Sequence, residues 1–353
     1  MRGSFFLVSF LLLNSIQAIA QNTDLLLQEA RSKKLWSEPY WYKLLNYKTG
    51  LFGNVKSDIR SPDYFISGSG RTDPQSELEA TVQSFFLPVG DNADEHAQCR
   101  FPARLSWLKK NLTWPAQFTS VQCPAYASWT QNNGVKSISA IFAVGYLGNP
   151  ASMFGHPLLK FNFKDNRGSS NLLDTTINYG AFTPKNENPA LFAFRGLFGL
   201  YDAGFTYGQF FYTNHTYGET DLRDLWEYEL DFSDEQVQQI VSHSWELLNK
   251  KFPYFFLSDN CASRVAELIE LVTNEQLVPR NVPYAIPYAL FDRLVESNLV
   301  KKHRLIPSRH SRLNEKFFTL DSQSRAILKS VIHSDEHFKN ESFAKASEKQ
   351  KIQ

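Results

Sequence analysis

Residues 137–182 read SISAIFAVGYLGNPASMFGHPLLKFNFKDNRGSSNLLDTTINYGAF, and this stretch decides the fold. It contains three runs rich in β-branched and aromatic residues, SISAIFAVGYL, HPLLKFNF and LLDTTINYGAF, with Gly, Pro, Asn and Asp between them. Short runs of that composition bounded by turn residues are strands, and three in succession imply an antiparallel sheet. A polar turn is expected from Asp165 to Ser170. Downstream, DLWEYELDF reads as a further strand. Two helices follow. Ser233, with Gln236 three residues on, forms a capping box ahead of the stripe Val237, Ile240, Val241, Trp245 and Leu248. The second helix starts near Asn260 and carries Val265, Leu268, Ile269 and Val272. Strands and helices in this order define an α+β domain.

Working upstream, the residues from Thr23 to about Tyr47 repeat their apolar positions at helical spacing, and Pro39 divides them into two short helices. Residues 48–75 are rich in Gly, Ser, Asp and Pro and read as an irregular connection before a helix opened by Pro74 and Glu77. This is a helical accessory region without a cluster of chemically useful side chains. At the extreme N-terminus, Arg2, the apolar run Phe5 to Leu13 and the Ala18-Ile19-Ala20 triplet form a secretory leader, with cleavage expected after Ala20. That run is shorter than the roughly 20 residues a spanning helix needs. Downstream of Asn314 the chain turns polar and charged. The division expected is a leader at 1–20, an accessory region at 21–130, a catalytic domain at 131–310 and a polar tail at 311–353.

The chain has 353 residues, 42% of them hydrophobic, enough for a substantial core. Its formal charge of +1 argues against a nucleic-acid partner. Three cysteines in an exported protein leave one unpaired. Cys99 and Cys123, close in sequence and both in irregular segments, are the expected disulfide, which contributes about 3 kcal/mol in the loop-entropy view. Cys261 is then the free thiol.

Cys261 lies in SDNCASRVAELIEL, where Ser258, Asp259 and Asn260 are N-cap residues, so the thiol sits in the first turn of a helix. There the free backbone amides and the helix dipole favour the thiolate. The candidate base is His156, held at a strand entrance by Pro157 and preceded by Gly155. A strand-edge histidine beside a helix-borne cysteine is the arrangement of papain-like thiol enzymes. His96, His215 and His243 compete for the role. Asn178 on the next strand is a candidate to orient the imidazole, with Asp174 its rival, and Ser152 and Asn260 with the backbone near Cys261 are candidate supports for substrate or an oxyanion. No HExxH or CxxC occurs, and neither GxGxxG nor a P-loop is present, so no metal site and no cofactor is expected. The aromatic segment Leu191 to Tyr212 is expected to form a buried pair of strands, with an acyl-binding surface as the alternative.

At these residues the sequence resembles the periplasmic domain of Lnb-type bacterial lipoprotein N-acyltransferases. The segments that carry the resemblance are SMFGHPLLKFN around His156, INYGAF around Asn178, RDLWEYELDFS from Arg223 to Ser233 and YFFLSDNCAS around Cys261. It spans roughly residues 135–275, and the segment with Cys99 and Cys123 is similar to the accessory region ahead of this domain. The resemblance implies a circularly permuted, NlpC-type papain-like fold in which Cys261 is the nucleophile, His156 its base and Asn178 the orienting group. It implies that a fatty acyl group passes from a membrane phospholipid, through a Cys261 thioester, to the N-terminal amine of a diacylglyceryl-cysteine lipoprotein. The expected location is the periplasm, peripheral at a membrane surface. A cysteine peptidase or amidase acting on peptidoglycan, or a non-enzymatic envelope assembly factor, are the alternatives. The sequence departs from longer members in having only a short polar tail after the core.

Overall fold

The computed structural model describes residues 21–50, 52–146, 153–163, 171–184, 187–279, 282–333 and 341–348. The leader, the turn expected at Asp165 to Ser170, and Ser152 lie outside the described residues.

Residues 21–32 are helical, and Pro39 opens a separate helix, α1 (Pro39–Leu44). Proline suits that first position because its φ is already helical and its missing N–H is not needed there. The connection at 48–75 is less irregular than expected, because it includes a hairpin of β1 (Tyr47–Thr49) and β2 (Val55–Ser57). Three-residue strands are too short to leave a readable alternation. Helix α2 (Pro74–Ser84) starts at Asp73, whose side chain accepts from the N–H groups of Gln75 and Ser76. It is followed by α3 (Pro102–Asn111).

The central sheet contains β3 (Val135–Ala143), β4 (His156–Phe163), β5 (Thr175–Ala181), β6 (Tyr201–Gln209), β7 (Leu225–Leu230), β8 (Phe252–Tyr254) and β9 (Val300–Ile306). Its order is β8-β6-β5-β4-β3-β7-β9, antiparallel throughout. The helices that follow are α4 (Pro189–Leu197), α5 (Asp234–Leu247), α6 (Cys261–Glu270), α7 (Pro287–Glu296), α8 (Arg309–Thr319) and α9 (Ser322–Ile332). Helix α5 begins with the complete Ser233–Gln236 capping box.

The Leu191–Tyr212 segment departs from expectation. Its first half is α4, and only its second half is a strand. Asn188 caps α4 by accepting from Ala190 and Leu191, with Pro189 at the first helical position, so the start signal lies just upstream of the aromatic run. The tail is also more ordered than its polar composition indicated, because α8 and α9 are capped by Ser308 and Asp321.

The accessory region and the sheet-bearing region share one apolar core, which runs from Leu26, Trp41 and Leu108 through Ile138, Leu159 and Phe205 to Val241 and Ile269. The seam is also ionic. Arg104 on α3 is fully buried and donates to Glu77 at 2.7 Å and to the Tyr64 carbonyl at 2.8 Å. Glu246 on α5 accepts from the Ala103 and Arg104 amides at 2.7 and 3.0 Å, capping α3 from the other region. The Cys99–Cys123 disulfide is formed, and Trp245 of α5 donates to the Cys99 carbonyl at 2.9 Å.

Candidate active site

One end of the sheet gathers the chemistry. Strand register pairs Ala143, at the end of β3, with both His156, at the start of β4, and Leu225, at the start of β7. On the other side, Tyr201 at the start of β6 pairs with Tyr254 at the end of β8. The chain leaving β8 at this end reaches Cys261 within a few residues, and α6 then packs across β4 and β5.

Gly155 is where the backbone enters β4, at φ 89°. A Cβ there would fall 2.2 Å from the Phe142 ring, so the position requires glycine rather than merely tolerating it. His156 follows. Its Nε2 lies 2.5 Å from Asn178 Oδ1. Because the register sets Lys160 opposite Thr176, His156 and Asn178 fall on the same face of the sheet. An amide oxygen only accepts, so Nε2 carries the proton it donates and Nδ1 is the basic nitrogen.

Cys261 occupies the first position of α6 and is almost fully buried. Asn260 shapes this turn. Its Oδ1 accepts from the Ala262 and Ser263 amides, and its Nδ2 donates to the Phe256, Leu257 and Ala285 carbonyls. With both ends of the amide engaged, Asn260 holds the loop and the helix start and has no donor left for an oxyanion. Just upstream, Phe255 and Phe256 lie against Gly199 and Gly196, tying this loop to the turn between α4 and β6.

Burial governs the titrations. Desolvation pushes the Cys261 thiol up to about 12, against the opposing pull of the Ala262 and Cys261 amides and of Arg223. The expected thiolate-favouring effect of the helix start is therefore present but outweighed. His156 is pushed down to about 4, chiefly by burial and further by Arg223, against the bond to Asn178. The resting pair is neutral thiol and neutral imidazole, and no hydrogen bond joins them among the described residues.

Arg223 acts on both groups and was assigned no role from sequence. It donates to the Val144 and Ala143 carbonyls at 2.6 and 2.9 Å, and its guanidinium lies over the Tyr217 ring. Leu222 before it adopts φ 56°, a left-handed conformation costing on the order of 1 kcal/mol for such a residue. The Tyr217 ring lies 6.0 Å from that of His156. Burial raises the Tyr217 hydroxyl to about 12; Arg223 lowers it and Cys261 raises it, so Tyr217 lies within electrostatic reach of the thiol. The sequence signal was the arginine opening RDLWEYELDFS, two residues ahead of a strand.

The competing groups are used elsewhere. His96 Nδ1 accepts from Gln98 and its Nε2 meets the Leu87 carbonyl. His243 is buried on α5 beside Glu246, and His215 stacks on Phe211. Asp174 lies 3.5 Å from Lys160, which is buried in β4 and also pairs with Glu227 at 2.6 Å.

Two hollows adjoin the site. A cavity of about 640 Å³ is lined by Phe142, Met153, Phe154, Trp226, Tyr288 and Phe291, next to the start of β4. A cleft of about 840 Å³ runs between the accessory region and the Cys261 turn, with Lys43, Lys48, Asp259, Glu267 and Glu270 on its walls. Around the same end of the sheet Phe154, Phe194, Phe198, Leu200, Leu257 and Tyr288 are each more than half exposed. No group of His, Cys, Asp and Glu among the described residues forms a metal site.

Fold and site define a mixed α/β protein with a large antiparallel sheet, a free thiol at a helix start and an imidazole–amide pair at the sheet's end. Residues 125–296 match the family model of the Lnb N-terminal periplasmic domain, and this region of the chain belongs to the Lnb-type family. Residues 33–111 match a domain of unknown function, DUF7843. No curated protein and no solved structure matches the chain. None of the described helices is long and apolar enough to cross a membrane.

Proposed function

We propose that the protein is a lipoprotein N-acyltransferase built on a permuted papain-like core, with Cys261 as nucleophile, His156 as base and Asn178 as the group that fixes the imidazole. The observation that carries this reading is the Nε2 to Asn178 Oδ1 contact at 2.5 Å, at the sheet end where α6 begins. It leaves Nδ1 as the proton acceptor. In the first half-reaction Nδ1 takes the thiol proton, Sγ attacks the ester carbonyl of a phospholipid, and the proton passes to the departing alcohol oxygen. A lysophospholipid leaves, and the acyl group remains as a thioester. In the second, the α-amine of a diacylglyceryl-cysteine attacks that carbonyl. The amine proton travels through His156 to the departing Cys261 sulfur, and an amide is formed.

The apolar cavity and the exposed aromatic rim favour an acyl chain over a cell-wall peptide. The neutral resting pair fits a thiol that is activated only when substrate brings sulfur and imidazole together, and that stays protected from oxidation in between.

Expression in cells depleted of their apolipoprotein N-acyltransferase tests the proposal. Growth and triacylated lipoprotein N-termini, read by mass spectrometry, should return with the wild-type chain. Cys261→Ala and His156→Ala should abolish the rescue while the proteins accumulate normally. Rescue by Cys261→Ala, or altered cell-wall peptides with unchanged lipoproteins, would remove this reading.

A further inference from the structure

The basic charge of this near-neutral chain is concentrated in its C-terminal helical hairpin. From Arg309 to His333 there are five lysines and arginines but only two acids, Glu315 and Asp321, whereas the whole chain carries a formal +1. Helix α8 has no fully buried residue: Leu313 is exposed, while Phe317 and Leu320 are half-buried, with Lys329 of α9 over the Phe317 ring. The helix is fastened by its other side. The Ser308 amide donates to Asp224 at 2.7 Å and the Ser311 hydroxyl to the same carboxylate at 3.0 Å. At 100° per residue, Leu313 points nearly opposite Ser311, and Leu313, Phe317 and Leu320 form a stripe bordered by Arg309, Arg312 and Lys316. Leu313 is 56% exposed. On α9, Leu328 and Ile332 lie one turn apart and exposed, with Arg325 and Lys329 beside them. Arg309, Lys316 and Arg325 have no ion pair among the described residues.

We propose that this hairpin is a docking element for an anionic phospholipid surface. Exposed apolar side chains flanked by cations are the pattern of helices that lie in the plane of a membrane interface, where the apolar side chains enter the acyl boundary and the cations meet lipid phosphates. A second copy of this chain is disfavoured as the occupant, because it would bring one cationic face against another. The position of the hairpin gives the docking a purpose. Strand β9 ends at Ile306, which pairs with Leu225, so α8 starts at the end of the sheet that presents Cys261 and the aromatic rim. Docking there holds the mouth of the site at the lipid surface. The inference goes beyond the acyl-transfer reading, since binding is measured without any turnover.

Flotation of the purified protein with vesicles tests it. Vesicles of phosphatidylcholine mixed with phosphatidylglycerol should bind at least about tenfold more tightly than phosphatidylcholine alone, and salt should weaken the difference. The triple variant Arg309→Glu, Lys316→Glu, Arg325→Glu should lose at least about tenfold of that binding, Leu313→Asp should also weaken it, and Cys261→Ala should bind like wild type. If charge reversal unfolds the protein, the triple Gln variant serves instead. Equal binding to both vesicle types, unchanged binding by the charge variants, or self-association through Leu313 without vesicle binding would each overturn the proposal. Loss of docking with lipoprotein acylation intact would leave the catalytic reading standing, and the reverse result would leave the docking.

Discussion

At Cys261 the helix start and Arg223 favour a thiolate, while burial opposes them and prevails. With a thiol at about 12 in place of an ordinary value near 9, alkylation by iodoacetamide at pH 8 is expected to run on the order of a thousandfold slower than for an exposed cysteine. A rate like that of free cysteine would show the thiol open and activated at rest. His156 gives the complementary pH dependence. Its folded pKa of about 4 lies below the unfolded value near 6.5, so between those limits the unfolded chain binds more protons than the folded one. Stability from this group is complete above about pH 6.5 and is lost as pH falls through 4. Urea midpoints should fall over that window in the wild type and less so in His156→Ala. Residue types and helix position were legible in sequence here, whereas desolvation was not, because it is a property of everything packed around the group.

At the scale of elements, α5 does more than cover the sheet. Glu246 accepts the two free amides at the start of α3 and lies 3.5 Å from the buried Arg104 guanidinium. Glu246→Ala is expected to cost roughly 3–5 kcal/mol in urea unfolding, because it leaves a buried cation short of a partner and two amides unpaired. Glu246→Gln keeps an acceptor for the amides and should cost less. A change below 1 kcal/mol in the alanine variant would deny the network its structural weight. The elements also show where sequence pattern is sufficient. The capping box of α5 and the N-cap of α6 are local signals, satisfied within four residues, and both were legible. In Leu191–Tyr212 the aromatics alone suggested strands, and Asn188 with Pro189 decided for a helix in the first half.

For the whole molecule, the shared core and the Arg104–Glu77–Glu246 seam mean that the accessory region is part of the folding unit. A chain starting at residue 131 would expose the side of α5 that carries Gln239 and Glu246, which meets α3. It is expected to be insoluble or to lose cooperative unfolding by circular dichroism. Cooperative melting at the temperature of the longer chain would show the sheet-bearing region to be autonomous.

The sequence by itself determined the strand-rich centre, the helix starts at Ser233 and Asn260, the Cys99–Cys123 pairing and the leftover thiol. Each rests on local chemistry: turn residues, caps, period, and a count of three cysteines. Only the tertiary structure decided that His156 meets Asn178, that Arg223 and Tyr217 border the site, that burial keeps the thiol protonated, and that the polar tail is a pair of helices with exposed apolar residues. Those facts depend on strand register and on which surfaces exclude water, and such contacts join residues too far apart in the chain for any local pattern to encode.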